Sequence, residues 1–223
     1  MATAVRKTNW FAIWVSVAAV VVLVVVTGIV IAINNSASAP GSEPKGSIVN
    51  TEAGSVTFGD GTNTIDTYVD FLCPYCNQFE QSEGPAIKQL VDAGTVKLNV
   101  HPVTILDGRS SPSGYSSRAA GAFYAVAVAD PDNAYAFMQA MYANQPEEGS
   151  AGLSDDQIVQ IAKSAGVKMT SDLEKAITSN EYQKYALSKG LPSDATGTPA
   201  LYVNGKQVNV TMDAKTDITP NLK

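Results

Sequence analysis

The sequence predicts an α/β domain, a mixed central sheet flanked by helices with a long helical insertion, preceded by one N-terminal transmembrane helix. Three observations predict it. An almost unbroken apolar run fills residues 10–33. Two β-rich segments, 64–71 and 96–103, flank a stretch of helical spacing that opens at Cys73-Pro74-Tyr75-Cys76. A further β-rich pair, 198–203 and 206–210, joined by Asn204-Gly205, follows a helical region over 113–189.

The apolar run is interrupted only by Ser16, Thr27 and Gly28. A helix of this length crosses ~30 Å of hydrocarbon. Arg6 and Lys7 precede it, whereas residues 34–44 hold no Lys or Arg and carry Glu43. The positive-inside rule therefore keeps residues 1–9 cytoplasmic and everything after Ile33 outside. Trp10 and Trp14 fall near the cytoplasmic end, where indole rings favour the interface. Ala37-Ser38-Ala39 offers a small-x-small cleavage site. A signal core spans about 7–15 residues, and the greater length here favours an uncleaved anchor. No cysteine follows the run, which excludes a lipoprotein, and on either reading the remainder is exported. Residues 34–50, rich in Ser, Gly and Pro without periodicity, read as a flexible linker.

Residues 51–223 suit one domain of ordinary size. Residues 56–58 and 64–71, with Gly59-Asp60-Gly61 between them, read as a short hairpin leading into a central strand. Beyond the cysteines, Phe79, Ile87, Leu90 and Val91 recur at helical intervals. Cys73 caps this helix, Pro74 stands in its first turn where a missing N–H costs nothing, and Pro85 kinks or interrupts it. The alternation over 96–103 then makes a second strand and completes a βαβ unit.

In the insertion, residues 116–129 are Ala-rich, and Asp130-Pro131 reads as a cap and first-turn proline for a helix through Tyr142. Ser154-x-x-Gln157 and Ser171-x-x-Glu174 read as capping boxes. Phe123, Tyr124, Tyr135, Phe137, Tyr142, Tyr182 and Tyr185 occupy helical positions and read mainly as core. Asn-Gly between two β-rich runs is a strong hairpin signal.

A net charge of −6, a pI near 4.7 and the lack of any basic run in the exported part argue against a nucleic-acid partner. The only two cysteines stand three positions apart, so no long-range disulfide staples the fold. Zinc commonly takes four ligands, and only His101 is available beside the pair, so neither a metal nor another cofactor is expected. His101 itself, alone on a strand, reads as structural. The loop Asp107-Gly108-Arg109-Ser110-Ser111-Pro112 is assigned no role.

A thiol attacks only as thiolate, and a free cysteine near pKa ~8.5 is mostly protonated at neutral pH. At a helix N-terminus, unpaired N–H groups and the macrodipole stabilise a negative sulfur. Cys73 therefore reads as the attacking sulfur and Cys76, one turn on, as the resolving one, an arrangement suited to thiol–disulfide exchange. A purely structural disulfide would constrain the unfolded chain little across so short a loop.

Four features in order carry a resemblance: Val69-Asp70-Phe71-Leu72-Cys73-Pro74-Tyr75-Cys76 with Phe79-Glu80, the strand over 96–103, the helical insertion, and Gly197-Thr198-Pro199-Ala200-Leu201-Tyr202-Val203-Asn204-Gly205. On these the chain resembles the DsbA-like branch of the thioredoxin superfamily across residues 51–210. The resemblance implies a thioredoxin-like fold in which Pro199 is cis opposite the cysteines and Thr198 pairs through its backbone with a substrate polypeptide. It implies catalysis by Cys73 and Cys76, with Pro74 and Tyr75 between them tuning the potential. It further implies cysteine-containing exported polypeptides as substrates and an integral-membrane redox partner of the DsbB or VKOR type.

The leading expectation is a disulfide-forming oxidase. The alternatives are a reductase or isomerase, and a non-catalytic tethered binding module. Two departures stand out. Thr67 occupies the place where the family often carries an acid that shuttles the resolving cysteine's proton, and alternation along the strand turns Asp66 and Asp70 away from that side. Residues 211–223 do not form the closing helix of many relatives.

Overall fold

The computed structural model describes residues 10–38 and 41–223. The expectations for residues 1–9 and for Ala39 lie outside the described residues. The chain divides into two units, Met1–Pro40 and Gly41–Lys223.

The first unit contains helix α1 (Trp10–Ser38), 29 residues long. It runs past Ile33, so the beginning of the predicted linker is helical. The apolar side chains described along it are exposed, Leu23 at 66% and Val24 at 65% among them. Among the described residues, no helix is long and apolar enough to cross a membrane.

The second unit is built on a six-stranded sheet. Its strands are β1 (Val49–Asn50), β2 (Ser55–Phe58), β3 (Asn63–Val69), β4 (Val96–Pro102), β5 (Ala200–Val203) and β6 (Lys206–Val208), in the order β1-β2-β4-β3-β5-β6. β3 and β4 run parallel, with Ile65 opposite Leu98 and Thr67 opposite Val100. The other pairings are antiparallel. Period-two alternation buries Ile65, Thr67, Val69, Val96, Leu98 and Val100 and leaves Asp66, Tyr68 and Asn99 half-buried.

The expected hairpin between 56–58 and 64–71 does not form, because β2 pairs with β4, which lies between β2 and β3. The glycine-rich turn instead carries the chain past the start of β4. A Cβ on Gly61 would stand 2.2 Å from the Val96 nitrogen, and one on Gly59 would stand 2.8 Å from the Val96 oxygen. The glycines permit a backbone crossing rather than a two-strand turn.

β3 reaches β4 through α2 (Pro74–Ser82) and α3 (Gly84–Asp92), separated at Glu83 just ahead of Pro85, as the proline predicted. The insertion comprises α4 (Tyr115–Ala129), α5 (Pro131–Ala143), α6 (Asp155–Ser164), α7 (Ser171–Thr178) and α8 (Gln183–Leu187). α4 is buried along most of its length and packs on α5, α7 and α8. Phe123, Tyr124, Phe137 and Tyr142 join the core, as expected of them.

The Ser154–Gln157 capping box is present. The second is displaced by one residue: Thr170 is the cap, its hydroxyl accepting from the Leu173 amide, so no box forms at Ser171. Asp130 stands at the start of α5, but its carboxylate accepts from the Lys168 amide and the Asn133 side chain instead of capping.

Beyond β6 stand only α9 (Ala214–Asp217) and a 3₁₀ turn over Thr219–Asn221. The chain end is tied to the sheet, since the Lys223 amide donates to Asn63 Oδ1 at 2.7 Å and Asn204 Nδ2 donates to the Asn221 carbonyl at 2.9 Å. Part of the predicted linker also packs on this unit. Pro44 is buried, and a Cβ on Gly46 would meet Val128 at 3.0 Å. His101 is structural as read: its ring stacks on Tyr68 at 4.2 Å, and its nitrogens face Asp66 Oδ1 and the Ala53 carbonyl.

Candidate active site

β3 ends at Val69, and the next residues turn the chain into α2. The Cys73 amide donates to the Asp70 carbonyl at 3.0 Å, closing the turn. The Asp70 carboxylate is wholly buried and takes three donors: the Leu72 amide at 2.9 Å, the Leu106 amide at 2.9 Å and the Ser116 hydroxyl at 2.6 Å. Burial pushes this carboxyl above its ordinary value, against the pull of those hydrogen bonds. Cys73 is the N-cap of α2, with φ −73° and ψ 117°, and Pro74 follows in the first turn, both as predicted.

Both thiols are free, and both are buried, Cys73 at 5% exposure and Cys76 at 0%. Their environments drive them apart. The Cys76 thiol is the largest influence on Cys73 and draws it down to about 6 against the opposing cost of burial, helped by the Thr198 side chain and the Cys76 and Tyr75 amides. Cys76 is pushed well above a free thiol, first by burial and then by its neighbour Cys73, while the Asp70 amide opposes the shift from 3.4 Å.

Thr198-Pro199 is cis and faces the dithiol, with the Thr198 carbonyl 3.4 Å from the Cys73 sulfur. β5 carries this loop, and the hairpin to β6 is the one predicted, with Asn204 and Gly205 both at positive φ. Beside it opens a groove of about 620 Å³, lined by Tyr75, Thr196, Pro199, Gln207, Val210 and Met212. Tyr75 is 66% exposed at its edge. All six residues singled out in the sequence therefore meet here: Cys73, Pro74, Tyr75, Cys76, Thr198 and Pro199.

Sequence reasoning missed several residues around them. Asp70 was read as pointing away, and its carboxylate does face away from the dithiol, but its backbone amide, which side-chain alternation does not address, reaches the Cys76 sulfur. Gln145, after α5, donates to the carbonyls of both Phe71 and Cys73 at 3.0 Å. Glu80 is buried on α2, pushed up to about 7 by burial, with Gln139 Nε2 donating to it at 2.6 Å. Thr67, in the place of the family's acid, is buried with no hydrogen-bond partner for its hydroxyl. The one sequence signal for Asp70 is an acid set among apolar residues just ahead of the cysteines. Among the described residues, no cluster of three or more His, Cys, Asp or Glu is placed to hold a metal.

The thioredoxin family model matches residues 55–217. The chain is 28% identical over 158 residues to the serine/threonine-protein kinase PknE of Mycobacterium tuberculosis, covering 66% of this chain and only 27% of that protein. It thus spans about a quarter of the length of these kinase relatives. It is 26% identical to a probable disulfide bond formation protein D of Bacillus cereus, covering 70% of this chain and 71% of that one.

Among solved structures, DsbA of Mycobacterium tuberculosis superposes with a TM-score of 0.63 at 29% identity, covering 71% of this chain and 86% of that chain. The disulfide bond oxidoreductase DsbG of the same organism gives 0.62 at 28%, covering 79% and 85%. The family model spans most of the chain, which therefore belongs to the thioredoxin family, and its fold is similar to those of the oxidoreductases DsbA and DsbG.

Proposed function

We propose that this chain is an extracytoplasmic thiol–disulfide oxidoreductase, anchored in the membrane through residues 10–33, that forms disulfides in exported polypeptides. The observation that carries the direction is the asymmetry of the sulfurs: Cys73 drawn down to about 6 and Cys76 pushed up. An ionised, stabilised Cys73 favours the reduced dithiol over the disulfide, which makes the disulfide form an oxidant.

In the oxidised enzyme, a substrate thiolate attacks Cys73 of the Cys73–Cys76 disulfide and expels Cys76, which takes up a proton. The second substrate thiolate then attacks its partner sulfur in the mixed disulfide and releases Cys73 as thiolate. The substrate loses two electrons and two protons. Both electrons enter the dithiol, one proton stays on Cys76 and the other goes to solvent. An integral-membrane protein of the DsbB or VKOR type would restore the disulfide.

Support for the anchor comes from α1 itself, whose described apolar side chains are exposed and need a nonaqueous surrounding or a partner. With Arg6 and Lys7 ahead of it, this reading leaves residues 1–9 in the cytoplasm and the dithiol outside.

The test is the equilibrium reduction potential against a glutathione series. A value toward ~−120 mV supports the oxidase, and one near ~−270 mV would make the protein a reductase. A chain with both cysteines changed to serine that kept full function would instead favour a binding module.

A further inference from the structure

Gln145 is the first residue past the C-cap of α5, and its backbone amide donates to the Tyr142 carbonyl at 3.1 Å, which holds it at the helix end. Its side chain reaches across to the active-site turn, where Nε2 lies 3.0 Å from the Phe71 carbonyl and 3.0 Å from the Cys73 carbonyl. One NH₂ group thus spends both hydrogens on two carbonyls that flank the turn. The opposite amide orientation would set an oxygen against two carbonyl oxygens, so the acceptors dictate which end points inward.

The Cys73 carbonyl has a second duty. It is the first acceptor of α2, taking the Cys76 amide at 3.1 Å and the Asn77 amide at 3.2 Å. The direction of this carbonyl and the ψ of Cys73 are one variable, and that ψ sets where the sulfur lies relative to the amides of Tyr75 and Cys76. Asp70 holds the same turn from its other end through the Leu72 amide.

We propose that Gln145 is a positioning residue for the reacting thiol: by gripping the carbonyls of Phe71 and Cys73 from the helical insertion, it fixes the turn that holds the Cys73 sulfur over the N-terminus of α2. Gln145 touches no reacting atom and acts through the backbone of Cys73. The insertion thereby becomes part of the apparatus that prepares the nucleophile. The proposal rests on the exchange reading of the Cys73–Cys76 pair but not on the direction of electron flow.

The test uses the full chain in detergent, with Gln145→Met, which keeps length and removes both donors, and Gln145→Asn, which keeps the amide one methylene shorter. Cys73 is titrated by thiolate absorbance, and exchange with a model disulfide is timed at pH 5. Met should raise the Cys73 midpoint by about one unit. That cuts the thiolate fraction about tenfold, and the greater intrinsic nucleophilicity of the less acidic thiol offsets part of it, leaving roughly threefold slower exchange. Asn should fall between Met and the parent.

Midpoints equal to the parent's in a variant whose circular dichroism and melting match the parent would overturn the proposal. If Met fails to fold, Asn alone decides, by the same comparison. The absorbance titration needs no exchange, so a parent that titrates but does not exchange would sink the functional reading and leave Gln145 still tested.

Discussion

The backbone amide of Asp70 donates to the Cys76 sulfur at 3.4 Å, while the carboxylate of the same residue faces away from the dithiol into three donors. One residue thus joins the end of β3, the Leu106 loop and α4 to the resolving cysteine. Asp70→Ala would leave two amides and a hydroxyl buried without their acceptor, at a cost of about 3 kcal/mol or more. Asp70→Asn keeps the shape and one acceptor oxygen and should cost about 1–2 kcal/mol. Urea melts of the three proteins check this, and an Asp70→Ala midpoint equal to the parent's would refute the anchoring role.

The separation of the two thiols fixes how the reduction potential varies with pH. Below about pH 6, where Cys73 is protonated, reduction takes two protons with two electrons. Above it, only Cys76 takes one, since its thiol is pushed well up. The potential should therefore fall by ~59 mV per pH unit at low pH and by only ~30 mV per unit beyond the break. Potentials measured from pH 4.5 to 8 test it, and an unbroken steep slope to pH 8 would mean that Cys73 is an ordinary thiol.

What could be read from the sequence was whatever is local. The Cys73 cap with Pro74, the interruption at Pro85, the Asn204-Gly205 hairpin and the Ser154 box all depend on neighbours within one turn, and all four are present. The hairpin at Gly59-Asp60-Gly61 failed because a glycine turn fixes a change of direction but not the partner, and β4, distant in sequence, takes the place between β2 and β3. The anchoring contacts of Asp70 and Gln145 were missed for the same reason. Their partners Leu106, Ser116, Phe71 and Cys73 lie 36, 46, 74 and 72 positions away, beyond any periodicity.

Run in reverse, the proposed route has reduced Cys73 attack an oxidised peptide and Cys76 resolve the mixed disulfide. Cys76→Ala should therefore accumulate covalent complexes when mixed with an oxidised peptide, seen as a reducible band shift on a nonreducing gel. Cys73→Ala should trap none, because Cys76 is fully buried and its thiol is held protonated. Equal trapping by the two variants would mean that the roles of the sulfurs are misassigned.

Buried acids on α2 make the fold sensitive to pH in an unusual direction. Burial pushes Glu80 from 4.5 up to about 7, with only the Gln139 hydrogen bond opposing it. Glu83, at the break between α2 and α3, is pushed up to about 8, by burial first and then by Asp217. The native state therefore holds protons that the unfolded chain releases, and the stability these two acids contribute falls as pH rises from about 4.5 to about 8. Glu80 alone accounts for about 3 kcal/mol of that fall, at 1.36 kcal/mol for each unit of difference. Glu80→Gln still accepts from Gln139 but does not titrate, so it should lose less stability between pH 5 and pH 8 than the parent by about this amount. Urea melts at the two pH values decide the matter, and equal losses in variant and parent would show that Glu80 is not the group responsible.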